Sequence, residues 1–269
     1  MTLPRLIVRM LPAALFLFLG GAGAADLALP TVTISFAENN APYAWFGEGR
    51  VQGLEYEIVN SVLTLGGYRL AAVPRPYARL PKVLADERID GITGQHPDDL
   101  PGYFFSEPYM TYENYVIVRE DSGIAWQDFD GMLSHSVVAW RGAALFLGLE
   151  QAAPQRFAAV NGKTYLEFTD QPTTFRYFWN RRAEILISDK YLYQTFLREH
   201  PEMAREAPSV IYLRELPNAV RIAFKSSQQR DAFDQALRHF KESGGYQRLL
   251  DRFHDGQAFE EMAELPRHP

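Results

Sequence analysis

The sequence predicts an α/β protein of two lobes, each built on a mostly parallel sheet flanked by helices. Two observations lead there. Short β-branched and apolar segments alternate with amphipathic helical ones from Val32 to Phe253. The alternation breaks once, at Glu120-Asp121-Ser122-Gly123, and then resumes. The composition, 47% hydrophobic and 22% charged, is that of a globular protein, and 269 residues suffice for two cores.

The elements follow in order. Residues 32–36 (VTISF) read as a buried strand. A helix is predicted over 54–65, where Leu54, Ile58, Val62 and Leu65 share one face and Gly66-Gly67 ends it. Residues 68–73 (YRLAAV) return as a strand, 80–85 form a short helix, and 89–93 (IDGIT) give a third strand. Residues 115–118 (YVIV) are a further strand, and the second unit begins near Glu120. There, strands at 137–140, 157–160 and 185–187 alternate with helices from Ala143 and at 173–179. A strand at 220–224 (VRIAF) precedes a helix over 228–243, which Gly244-Gly245 stops. Leu249, Leu250 and Phe253 carry a last short helix. There is no internal sequence repeat and no low-complexity tract.

Charge and cysteine content narrow the function. The net charge of −6 argues against nucleic acid as a partner, because phosphate contacts need clustered Lys and Arg. The absence of cysteine excludes a disulfide framework, a thiolate metal site and an acylated N-terminal anchor. Arg5 and Arg9 precede an apolar run over 11–19 and the small residues Ala22-Gly23-Ala24. That is the build of a secretory signal peptide, expected over 1–25, since a spanning helix needs ~20 apolar residues. A periplasmic location follows. The six histidines are scattered with no metal-ligand spacing, and no phosphate loop, nucleophile elbow or HExxH is present, so no cofactor is expected.

Five short segments stand out in order: Asn40-Ala41-Pro42-Tyr43, Gln52-Gly53-Leu54-Glu55, Asp90-Gly91-Ile92, Phe105-Ser106-Glu107-Pro108-Tyr109, and Ala223-Phe224-Lys225 with the helix after it. Together they resemble the family 3 extracellular solute-binding proteins, the periplasmic receptors of ABC importers. The resemblance implies the two-lobed type II periplasmic-binding-protein fold, with a ligand cleft between lobes that close about a hinge of two chain crossings. The crossings are expected near 118–121 and 212–215. The first lobe would comprise 26–119 with 214–256, the second 120–213, and 257–269 a loose tail.

The resemblance also implies the site: Tyr43, Tyr77, Gly94, Arg141, Gly142 and Asp189 as ligand-binding residues. Asp189 matches the acid that pairs with a ligand α-amino group, and its alternative role is to cap the helix beginning at Tyr191. Tyr77, with Tyr43 and Trp45, would wall the ligand side chain. Two carboxylate devices of the family are altered. The arginine expected before Phe105-Ser106 is absent from residues 96–104, and the hydroxyl-bearing turn reads Arg141-Gly142-Ala143-Ala144. Either the ligand lacks a conventional α-carboxylate, or Arg79 or Arg141 supplies the missing charge. The implied function is a monomeric receptor that carries a small, amine-bearing solute to an inner-membrane ABC permease. A transmembrane sensor or another periplasmic protein is the alternative partner. An enzyme of the cyclohexadienyl dehydratase kind, with Glu38 or Asp189 as its acid, is the less favoured alternative, and no enzymatic activity is expected.

Overall fold

The computed structural model describes residues 29–86, 88–97, 100–125, 129–132, 134–146, 164–205 and 210–254. The expected signal peptide, the strand expected at 157–160 and the C-terminal tail lie outside them. The first half opens with β1 (Thr31–Ala37) and a small sheet of β2 (Asn39–Asn40), β3 (Ala44–Gly47) and β4 (Arg50–Gln52). Helix α1 (Leu54–Leu65) leads to β5 (Arg69–Arg75), a single 3-10 turn (Tyr77–Arg79), α2 (Leu80–Asp86), β6 (Gly91–Gln95) and β7 (Phe104–Phe105). Strand β8 (Met110–Arg119) passes into the second half, which holds α3 (Phe129–Met132), β9 (Val137–Trp140), α4 (Ala143–Phe146) and β10 (Tyr165–Phe168). There follow α5 (Gln171–Trp179), β11 (Ile185–Asp189), α6 (Lys190–Glu199) and α7 (Pro201–Ala204). Strand β12 (Val210–Phe224) returns to the first half, where α8 (Ser227–Glu242) and α9 (Gly245–His254) complete it.

Among the described residues the two expected sheets are joined through a shared strand, β12. Nine strands form a continuous mixed sheet in the order β10-β9-β11-β8-β12-β6-β1-β5, with β7 paired to β12. The cause is the antiparallel pairing of β8 with β12, which runs from Arg119 opposite Val210 to Met110 opposite Val220. Strand β11 takes the other edge of β8 from Asn114 onward. Strands β6 and β7 take β12 from Arg221 onward. Strand β8 thus changes partners around 110–114 and β12 around 220–221. Residues 118–121 and 212–215 lie at the far end of this ladder, where a 3-10 turn at Glu120–Ser122 and Gly123 (φ 66°) end β8.

Helix α1 forms over the predicted residues and buries Leu54, Ile58, Val59, Val62 and Leu63 against the sheet, while Leu65, expected on the same face, is exposed at the last turn. Its entry is crowded. A Cβ on Gly53 (φ 115°) would lie 2.2 Å from the Tyr43 carbonyl oxygen, and that carbonyl accepts from the Glu55 N–H at 2.8 Å. The 42–43 turn thus caps the helix that no side chain caps. Glu55 itself is buried, and the Tyr109 hydroxyl donates to it. The same hydroxyl accepts from the Gly94 N–H at 3.3 Å. The Phe105-Ser106-Glu107-Pro108-Tyr109 segment is pinned at three points. Ser106 Oγ accepts from Ile222 N, Asp234 accepts from Glu107 N, and Tyr109 reaches Glu55. In the second half a buried Arg119 donates to the carbonyls of Phe178 (2.9 Å) and Ala183 (3.0 Å), holding the end of α5 to β8.

Burial pushes the Glu55 carboxyl up to about 7, against the pull of its hydroxyl donors. The folded protein therefore holds this proton at pH values where the unfolded chain has lost it, and stability falls as pH rises from about 4.5 to 7. Chemical denaturation of wild type and Glu55→Gln across this range should show stability falling further in wild type than in the variant, by on the order of 3 kcal/mol. A decline of the same size in both would remove Glu55 as its source.

Candidate functional site

A cavity of about 250 Å³ lies between the halves. It opens at the carboxyl ends of β1, β5 and β6 from one side and β9, β10 and β11 from the other, where open α/β sheets place ligands. Glu38 and Asn39 follow β1, Pro76 and Tyr77 follow β5, and Gly94 lies near the end of β6. The far wall is Trp140, Arg141, Phe168, Asp170, Gln171 and Asp189. The crossing strands supply the floor, with Tyr112 and Asn114 from β8 and Asn218 and Val220 from β12.

Of the residues singled out from the sequence, Tyr77, Gly94, Arg141 and Asp189 stand on this wall. Tyr77 donates its hydroxyl to the Gly94 carbonyl at 3.3 Å, and a Cβ on Gly94 (φ 67°) would stand 3.7 Å from the Tyr77 ring. Arg141 is exposed, and its guanidinium makes no hydrogen bond or ion pair with a described residue. Arg79, the other arginine considered, is not on the wall.

Two expectations meet a different geometry. Tyr43 is 2% exposed and lies beneath the wall rather than on it. Its ring packs edge-on to Tyr112 with centroids 4.6 Å apart and tilted against Phe253 at 5.7 Å. Gly142 is off the wall too. Its N–H donates to Glu167 Oε2 (2.8 Å), and the Ala144 N–H donates to Glu167 Oε1 (3.0 Å). The turn that could hold a ligand carboxylate thus already holds the protein's own, and Tyr165 donates to it as well at 2.7 Å. Trp45 is likewise absent from the wall.

Asp189 is the most heavily bonded side chain of the site. One carboxylate oxygen accepts from Tyr191 N (2.8 Å) and Leu192 N (3.0 Å), the N-cap of α6. The other accepts from Glu113 N (2.7 Å) and the Tyr43 hydroxyl (2.9 Å). Burial is the largest influence on it and lifts its pKa to about 7, against the downward pull of these four donors. Tyr43 comes from the first half and Asp189 from the second, so this bond ties the two halves at the edge of the cavity.

Residues unforeseen from the sequence complete the site. Asn114 lies opposite Asp189 on β11 and Leu216 on β12. Its Oδ1 accepts from the Trp140 indole N–H at 2.9 Å. Its Nδ2 has no hydrogen-bond partner among the described residues, and neither has Gln171 Oε1. Asn218 is 6% exposed yet reaches the cavity. Nothing in a strand pattern marks these amides, because the pairing that brings them together is long-range.

The N-cap geometry makes a direct prediction. Asp189→Ala leaves Glu113 N, the Tyr43 hydroxyl and the first turn of α6 without their acceptor. It should lower the unfolding free energy by about 3 kcal/mol or more, read by denaturant titration at pH 7.5. A loss under about 1 kcal/mol would mean that these bonds are replaceable by water.

A family model for bacterial extracellular solute-binding proteins, family 3, matches residues 32–256. No curated protein matches the sequence. Among solved structures, a histidine kinase sensor domain with similarity to periplasmic binding proteins superposes with a TM-score of 0.68 at 12% identity, covering 82% of this chain and 95% of its own. An ancestral amino acid-binding protein, a precursor of cyclohexadienyl dehydratase, gives 0.64 at 17% identity, covering 82% and 94%. The arginine-, lysine-, histidine-binding protein ArtJ from Geobacillus stearothermophilus gives 0.62 at 15% identity, also covering 82% and 94%. Such structural likenesses carry the type II periplasmic-binding-protein fold, and the match over nearly the whole described chain carries the family: this protein belongs to the bacterial extracellular solute-binding proteins, family 3.

Proposed function

We propose that the chain is exported to the periplasm and works as a monomeric receptor. Its cleft captures a small, polar, amine-bearing solute of amino-acid type and presents it to an inner-membrane ABC permease. The observation that carries this reading is the make-up of the wall. Among the described residues the wall carries Glu38, Asp170 and Asp189 with one cation, Arg141, and the rings of Tyr77, Tyr112, Trp140 and Phe168. Carboxylates attract an ammonium group, and aromatic faces hold both its charge and its apolar stem. Gln171 Oε1, buried without a donor among the described residues, adds a neutral acceptor for an N–H. Asp189 shapes the wall from its capped position, while the Glu38 carboxylate makes no hydrogen bond or ion pair with a described residue and is the stronger candidate for direct pairing.

A sensor role has its own support in the likeness to a histidine kinase sensor domain. Delivery to a permease predicts permease and ATPase genes beside this one, whereas a neighbouring transmembrane kinase gene supports signalling. Catalysis of the dehydratase kind is disfavoured because Asp189, one of the two acids considered, already accepts four hydrogen bonds. Among the described residues no helix is long and apolar enough to cross a membrane.

A thermal-shift screen of amino acids, amines, opines, short peptides and amine-free carboxylic acids tests the reading. A cognate solute at a hundred times its Kd should add about 2.7 kcal/mol and raise the melting midpoint. Hits should bear an amine, and Glu38→Gln should weaken the best of them about tenfold, as loss of an ammonium partner does. Hits confined to amine-free acids would sink the proposal.

A further inference from the structure

The floor of the cavity carries a feature that the amine reading leaves unused. Asn114 and Asn218 come from the two crossing strands, with Asn114 opposite Leu216 and Asn218 opposite Tyr112. In an antiparallel ladder, positions two apart on paired strands share a face. The two amides therefore stand diagonally side by side, and both line the cavity although they are only 1% and 6% exposed.

The chemistry of Asn114 is fixed by its neighbour. An indole N–H only donates, so the Trp140 contact at 2.9 Å makes the bonded amide atom the oxygen and leaves the nitrogen as donor. That nitrogen has no partner among the described residues. A buried amide N–H without an acceptor costs free energy, and native proteins meet nearly all of them. Asn114 is 1% exposed and is one of the residues that line the cavity. On the same cavity wall stands Arg141, whose guanidinium makes no hydrogen bond or ion pair with a described residue. The competing donors for a ligand oxygen, the N–H groups of Gly142 and Ala144, are already bound to Glu167.

We propose that Asn114, with Asn218 and Arg141, forms a hydrogen-bond donor subsite that takes an acceptor oxygen of the ligand, a carbonyl or a carboxylate, at the hinge end of the cleft. The proposal rests on the cleft being the amine site described above. It makes the ligand bifunctional, with its amine toward Glu38 and its oxygen toward the floor. It also places the oxygen on the strands shared by both halves, away from the turn at Gly142.

The test compares probes that keep the amine and vary the oxygen. Two series serve: arginine, argininamide and agmatine, and phenylalanine, phenylalaninamide and phenethylamine. Calorimetric titration of the exported wild-type chain should rank the acid and the amide of the tighter series at least tenfold above the bare amine. Asn114→Asp keeps the shape and the acceptor for Trp140 but replaces the donor with a second oxygen. It should weaken the acid and the amide at least tenfold and tighten the bare amine. Asn114→Leu, checked by its melting midpoint, should abolish the preference for oxygen without that tightening. Arg141→Gln should weaken the acid more than the amide. Bare amines that bind wild type as tightly as their oxygen-bearing partners would overturn the donor subsite and leave the amine reading standing. Equal weakening of all three members of a series by Asn114→Asp would overturn it as well. If no member of either series binds wild type, the amine reading falls, and the donor subsite with it.

Discussion

The pairing of β8 with β12 is the constraint on which the rest depends. Each half brings a parallel core of three strands, β5-β1-β6 or β10-β9-β11, whose inner edge would otherwise be unpaired. An open edge of apolar strands is a site for unwanted pairing. The two crossing strands close both edges at once, because each is long enough to serve one half with one end and the other half with the other. The cleft is a by-product of that economy. The strand ends of the two halves face each other across a floor that belongs to both.

Around that floor the fold consumes most of its polar groups. Asp189 and Glu55 are both buried carboxylates raised to about 7 by desolvation, and both are met by a tyrosine hydroxyl, Tyr43 and Tyr109 respectively. Each also lies at a helix start, one capping α6 and the other in the first turn of α1. Burial costs such groups more than their hydrogen bonds return, a debt that structures accept where position matters more than stability. Among the described residues that line the cavity, the fold leaves Glu38, Arg141, Gln171 Oε1 and the amides of the floor least engaged.

The sequence announced its elements more clearly than its site. Helix α1 was legible to the residue, because Leu54, Ile58, Val62 and Leu65 recur at helical spacing before a glycine pair, and α8 was legible to within one residue. Strand β12 was legible only in its last third. Its first part carries Arg214, Glu215, Pro217 and Asn218, which obey no apolar alternation and belong to it only because β8 runs alongside. Asn114 was hidden for the same reason. Asp189 could be placed beside a helix start, but its partner Tyr43 lies 146 residues away and only the folded topology joins them. The role of Glu167 was out of reach because β10 lies at 165–168, where no strand was expected.

Glu167 has a further consequence, best put as a competition between a tethered group and a free one. Its carboxylate sits two residues from Tyr165 on a strand already paired to β9, so it cannot leave the vicinity of the Gly142 turn. A group held in this way faces its partner at an effective concentration in the millimolar range or above. A solute scavenged from dilute surroundings arrives at concentrations far below that. The turn is therefore closed to passing acids by mass action alone, without any steric gate, and discrimination between solutes shifts to groups that have no such resident competitor.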